Sequence, residues 1–149
     1  MKSGKFYLLC AVHLFLVNGD KILLLRRFNT GYEDGNFSVP AGHLEENETV
    51  KQATTREACE EVGIQILPED LEIVQALHRK TEQGERIDYF LCCGKWDGQV
   101  TNMETHKCDL LEWHPVKQLP SNVVPYVAHS INNYLQGVKF DEFGFYLQK

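Results

Sequence analysis

A chain of 149 residues with 43% hydrophobic and 24% charged side chains is one globular domain's worth of sequence, long enough to bury a core without staples. That composition excludes disordered, collagen-like and low-complexity readings, and no apolar run approaches the roughly 20 residues that cross a bilayer. A net charge of −6 argues against duplex DNA or RNA as partner, although divalent metal can bridge an acidic chain to a polyphosphate.

In chain order the first expected element is a strand over residues 6–17. Met1 to Lys5 with the apolar run behind it superficially resembles a signal peptide. But His13 interrupts the run, and Asp20 and Lys21 stand where a small-residue cleavage site is wanted. Asn18-Gly19-Asp20 makes a turn, and residues 21–27 are the second strand of a hairpin. Residues 28–42 carry Gly31, Gly35, Pro40 and Gly42 and read as loop, with one short strand at Phe37-Ser38-Val39. Residues 49–62 predict a helix: Thr49 and Gln52 form a capping box, and Gly63 stands at the stop. Residues 71–78 and 87–93 predict strands separated by a polar stretch, 79–86. A short strand over 110–114, a turn at 115–120 and a second helix over 124–135 follow. The apolar tail, 140–147, reads as a final strand in which Phe143, Phe145 and Leu147 alternate. It must be covered, either by this chain's own sheet or by a partner subunit in a symmetric homodimer.

The mixed order of strands and helices argues for one α/β domain over residues 1–149 and against a regularly alternating Rossmann pattern. The five cysteines, Cys10, Cys59, Cys92, Cys93 and Cys108, are odd in number and lack CxxC spacing. They suggest neither a zinc site nor a disulfide framework, so reduced thiols in a cytoplasmic protein are expected.

One stretch carries the chemistry. Gly42, Glu48, Arg56, Glu57, Glu60, Glu61, Gly63 and Ile64 stand in the spacing G-x5-E-x7-R-E-U-x-E-E-x-G-U, with U aliphatic. On a helix Glu57 and Glu60 are i, i+3, and Glu57 and Glu61 are i, i+4, so three carboxylates crowd one face. Ala58 and Val62 fall on the flank that packs against the body of the domain. Like charges so placed repel by a few tenths of a kcal/mol per pair, whereas a hard divalent cation requires clustered carboxylate oxygens. Most glutamate runs are solvated helix faces, but the full spacing arises by chance on the order of once in 10^6 chains of this length.

The segment resembles the Nudix box, the signature of the Nudix (MutT-like) hydrolases, which cleave nucleoside diphosphates linked to another moiety X. Leu25-Arg26-Arg27, Val39-Pro40-Ala41-Gly42 and Glu112-Trp113-His114-Pro115 resemble the family's flanking features. Ala41 departs from the usual glycine, and Ala58 is small for its position. The resemblance implies an α/β/α sandwich around a mixed sheet, Mg2+ as cofactor with Mn2+ as a substitute, and a nucleotide substrate. It also implies that Glu60 and Glu61 bind the cation, with Glu57 as a further ligand or as the base that activates water. Arg56 and Glu48 resemble the pair whose salt bridge orients these carboxylates. Gly42 is expected to permit a tight turn, and the Ala41 carbonyl to serve as a main-chain metal ligand. Glu104 matches a loop position where several Nudix enzymes place a further metal-binding or basic glutamate; a solvated loop glutamate is the alternative.

Arg27, on the strand face of Leu23 and Leu25, suits a phosphate contact or is an exposed strand end, and Arg26 points the other way. Asn122 lies near where MutT-like enzymes read a purine, or is an ordinary N-cap. Tyr32, Phe37 and Phe90 are base-stacking candidates or core residues, and His106, Lys107 and His114 read as surface. The markers of ADP-ribose, dinucleotide, NADH and coenzyme A subfamilies are missing. That leaves a (deoxy)nucleoside triphosphate, cleaved to monophosphate and pyrophosphate. The alternatives are an ADP-ribose, nucleotide-sugar or dinucleotide pyrophosphatase and a non-catalytic nucleotide sensor. A sensor is expected to have lost a box carboxylate, and this chain keeps them all. A diphosphate isomerase needs a reactive cysteine, but Cys59 lies about 100° round the helix from Glu60.

Overall fold

Strand β1 (Leu9–Asn18) and strand β2 (Lys21–Arg27) meet as a hairpin at Val17↔Ile22 and Asn18↔Lys21, around a turn in which Gly19 has φ 64°. This computed structural model describes residues 4–146. β1 is central, with Ala11 to Leu16 buried on both faces, which explains its near-continuous apolar run. It lies parallel to β6 (Gly84–Cys93) from Leu9↔Arg86 to Leu16↔Cys93, and β4 (Ala41–His43) pairs with its other edge. β5 (Glu72–Thr81) is antiparallel to β6, and β8 (Phe140–Phe143) adds parallel to β5. β2 carries β3 (Phe37–Ser38) on one side and β7 (Cys108–Pro115) on the other.

Helix α1 (Val50–Val62) covers one face of this mixed sheet through a cluster that includes Val12, Leu14, Ala58, Val62 and Leu91. Helix α2 (Pro125–Gln136) covers the other, with Phe15, Leu77, Phe90, Val127 and Ile131. The result is the α/β/α sandwich expected from the sequence. Among the described residues no helix is long and apolar enough to cross a membrane.

Several boundaries differ from expectation. β1 begins at Leu9, not residue 6, where its pairing with β6 begins at Arg86, and residues 6–8 stay exposed; Ala41–His43, expected as loop, forms β4, β7 begins at Cys108, and β8 ends at Phe143. β5 and β6 continue through the polar stretch 79–86, because Arg79 turns inward to a buried Asp88. α2 starts at Pro125, with Val124 at its N-cap and no side-chain cap. Asn122 is therefore no cap; its amide donates to the Gly35 carbonyl (2.9 Å) and ties two loops together. The tail joins its own sheet. Phe143 packs into the α2 cluster, Phe145 sits 4.6 Å from the His78 ring, and Asp141 accepts from Asn133 (2.9 Å) beside His129. Leu147 lies outside the described residues.

Candidate active site

The acidic helix is fixed at both ends by its own sequence. Thr49 Oγ1 accepts from the Gln52 N–H and Gln52 Oε1 accepts from the Thr49 N–H, both at 3.0 Å. Gly63, at φ 71°, ends the helix in the left-handed conformation. Ala53, Ala58 and Val62 are fully buried, which sets the rotation of the helix and turns its charged residues towards β4.

Arg56 organises these charges. It donates to both oxygens of Glu48 (2.7 and 3.0 Å), to Glu57 (2.8 Å) and to the His43 carbonyl (3.1 Å). Its fork holds the Glu48 carboxyl below the ordinary carboxylate range, and the same bonds raise its own proton affinity. The Arg56–Glu48 pairing expected from the sequence is thus present in the structure.

Glu57 lies across β4. A Cβ built on Gly42 falls within the Glu57 carboxylate and 2.7 Å from its Cγ, so glycine is needed for close approach. This corrects the sequence expectation of a tight turn: Gly42 sits in an antiparallel strand opposite Val12 and is not in the positive-φ region.

Glu61 is partly buried, and its Oε1 accepts from the Ala41 N–H at 3.2 Å. Burial, the neighbouring Glu57 and, more weakly, Glu104 push its pKa well above the usual value. Register explains the role of Ala41. Leu14 donates to the Pro40 carbonyl and Leu44 to the Cys10 carbonyl, so the residue between Pro40 and Gly42 turns both backbone groups away from β1. The Ala41 carbonyl therefore shares the side of Glu61.

Residues 94–107 bring Glu104 to the same place. Thr101 N–H donates to the Val62 carbonyl (2.9 Å) and Met103 N–H to the Glu61 carbonyl (3.1 Å), so the loop satisfies the open carbonyls of the last helical turn. Asn102 then accepts from the Glu104 N–H and donates to the Cys108 carbonyl. Glu61, Glu104, Ala41, Arg27, His43 and Lys107 line one cleft of about 600 Å³. Arg27 is braced by the Tyr32 carbonyl (2.6 Å) and Thr30 Oγ1 (3.0 Å), while Arg26 points elsewhere, to Asp109.

The structure thus assembles Arg27, Ala41, Gly42, Glu57, Glu61 and Glu104. Glu60, expected with Glu61 as a cation ligand, does not line this cleft: its side chain is 52% exposed, 3.5 Å from Arg56, and lines a separate depression with Cys59. Asn122 lines neither this cleft nor the cavity behind it. Phe37 and Phe90 are core, Tyr32 is exposed, and Cys59 lies outside the cleft. His43, His106 and Lys107 enter the cleft without a sequence signal: His43 is brought by the pairing of β4 with β1, and His106 and Lys107 by a loop placed largely through backbone hydrogen bonds to the end of α1.

Among the described residues, no three His, Cys, Asp or Glu side chains stand at metal-holding separations. The donor chemistry nevertheless suits a hard cation. Two adjacent carboxyls, one with a strongly raised proton affinity, share their side with a main-chain carbonyl, and a divalent ion would take the place of the proton they hold.

The candidate site is thus a carboxylate-bearing helix laid over a glycine strand, on a mixed sheet between two helices. The NUDIX domain model matches residues 8–134, and the chain belongs to that family, whose members generally use divalent metal ions. It is 31% identical over 134 residues to the human 8-oxo-dGDP phosphatase NUDT18, covering 88% of this chain but 38% of that protein. The chain therefore spans less than two fifths of that relative's length. A MutT NUDIX hydrolase from Burkholderia pseudomallei superposes with TM-score 0.78 at 19% identity, over 85% of this chain and 98% of that one. A MutT protein from Methanosarcina mazei Go1 gives 0.75 at 19% identity, over 90% and 97% of the two chains.

Proposed function

We propose that this protein hydrolyses a nucleoside diphosphate linked to X with Mg2+ as cofactor, X being a further phosphate. A (deoxy)nucleoside triphosphate then yields the monophosphate and pyrophosphate. The observation that carries this reading is the convergence of Glu61, Ala41 and Glu104 with the cations Arg27 and Lys107 on one cleft, with Glu57 directly behind Glu61 against Gly42. Water adds to one phosphorus, the bridging P–O bond breaks, and the water proton passes to a carboxylate of the Glu57–Glu61 pair. Arg56 keeps Glu57 in place, and Arg27 faces the phosphate charge. Glu57, Glu61, Glu104 and the Ala41 carbonyl would hold the divalent ion, and Glu60 would reach it only by turning from the Arg56 side of the helix. When bound it supplies charge neutralisation at the phosphate oxygens and a more acidic water.

A second reading follows from the relative named as an 8-oxo-dGDP phosphatase: a diphosphate substrate that releases orthophosphate. A release screen separates the two, run with Mg2+ and then Mn2+ over canonical and oxidised nucleoside di- and triphosphates, ADP-ribose, UDP-sugars and dinucleotides. Pyrophosphate from triphosphates supports the first reading, and faster orthophosphate release from diphosphates supports the second. No turnover of any compound leaves the nucleotide sensor. Glu61→Gln should lower kcat at least about a hundredfold, and retention within about tenfold would overturn the assignment of this carboxylate.

A further inference from the structure

Behind Arg27 and His43, which line both spaces, lies a second cavity of about 640 Å³. β5 and β6 supply Arg79 and Arg86 to it, and α2 supplies Tyr126. Three arginines therefore converge on one cavity in a chain whose net charge is −6. The one carboxylate on its lining is Glu82, at the β5–β6 turn.

The arginines are held from beneath. Asp88 on β6 is fully buried and accepts from Arg79 Nε (2.6 Å), Arg79 Nη2 (3.4 Å) and Arg86 Nε (3.4 Å), and it also lies 3.0 Å from His13 Nε2. Burial alone would raise its pKa, but hydrogen bonding and charge from His13 and Arg79 hold it well below the carboxylate range. Burial lowers the pKa of His13, against the pull of Asp88. Two guanidinium groups thus share one carboxylate, and the cluster keeps a surplus positive charge. A buried ion cluster of this kind is costly for folding, so its contribution is better sought in the orientation of the arginines.

Arg79 Cζ lies 3.6 Å from the centre of Tyr126, and Arg27 Cζ lies 5.2 Å from the centre of Tyr32, so each guanidinium covers one face of a ring. Asp88 takes Nε and Nη2 of Arg79 but only Nε of Arg86, so the Nη1–Nη2 fork of Arg86 is not spent on it. Such forks match the paired oxygens of phosphate and carboxylate.

We propose that the second cavity binds an oxyanion of the substrate remote from the scissile anhydride, with Arg79 and Arg86 as its ligands and Asp88 as their positioning residue. This rests on the hydrolase reading above, and it narrows the substrate class to nucleotides that carry an additional phosphate or carboxylate.

The test is calorimetric binding in EDTA, where no turnover is needed, with two matched pairs of ligands. UDP-glucose and UDP-glucuronate differ by one charge on the X side; ADP-ribose and 2′-phospho-ADP-ribose differ by one phosphate on the nucleoside side. The charged member of at least one pair should bind at least about tenfold more tightly, and the pair that responds identifies the source of the oxyanion. Arg86→Gln should reduce that preference below about threefold, chiefly by weakening the more highly charged member of the pair. Equal binding within both pairs, no binding by any of the four ligands, or an undiminished preference in a folded Arg86→Gln protein overturns the proposal. Because the wild-type comparison stands alone, failure of the variant to fold does not remove the test. A preference without hydrolysis of any nucleotide would refute the hydrolase reading alone; hydrolysis without the preference would refute this inference alone.

Discussion

Gly42 shows how one atom decides whether the cleft is usable. Its missing Cβ is occupied by Glu57, so Gly42→Ala must push that carboxylate off β4 or push β4 away from the helix. Activity is expected to fall at least about a hundredfold while the melting temperature changes by only a few degrees, which kinetics and a thermal melt on the same sample would check. Glu61 makes a complementary prediction about pH. Its folded-state pKa is raised, so its contribution to stability is fully present below the unfolded value and is lost as pH rises through the folded one. In EDTA, the protein should lose stability as pH rises above the ordinary carboxylate range. Glu61→Gln should flatten that slope and raise the melting temperature on its alkaline side. A wild-type curve that rises across this window would contradict the assignment. Asp88 has the opposite sign: its depressed pKa gives stability that is lost only on acidification.

At the scale of elements, α1 and the loop behind it act together. Gly63 ends the helix at positive φ, and a Cβ there would lie 3.1 Å from Met103 Sδ, one residue before Glu104. Gly63→Ala is therefore expected to cost about 1 kcal/mol from backbone strain. It should also lower activity beyond that cost by displacing the loop. Urea unfolding and kcat measured together would separate the two effects. The helix was legible in the sequence because its cap, stop and buried flank are local patterns that Thr49, Gln52, Gly63, Ala58 and Val62 write directly. The strands through 79–86 were not, because the polarity that suggested a loop belongs to Arg79, which hides its charge against Asp88, and to hairpin-end residues such as Lys80, which faces solvent, and Glu85, which pairs across the strands with His78. Gly42 was recognised, but for the wrong physical reason; only the position of a side chain fifteen residues on shows why glycine is required.

At the scale of the whole molecule, the sandwich and its two faces followed from the family resemblance, while the convergence of His43, His106, Lys107 and the second cavity depends on long-range pairing that no local pattern encodes. The tail settles beside β5, where Phe143 packs into the α2 cluster while Phe140 stays exposed, so its own chain covers only part of the apolar surface that motivated a dimer. Truncation after Gly137 should lower the melting temperature by about 5 °C or more, since burial of Phe143 alone is worth roughly 1.5–3 kcal/mol. Sedimentation of the full-length protein at tens of micromolar should give a monomer mass. A dimer that truncation converts into an equally stable monomer would overturn the own-sheet role.

Glu61 faces two ways, with its carboxylate on Ala41 and its carbonyl under the Met103 amide. The amides of Thr101 and Met103 are therefore protected from solvent deuterium only while the last turn of α1 stays wound. They should exchange in step with the amides of that turn, although forty residues of sequence separate them. Fraying at the helix end would thus release Glu104 and loosen Glu61 in a single opening event, and the cleft would come apart as a unit rather than ligand by ligand.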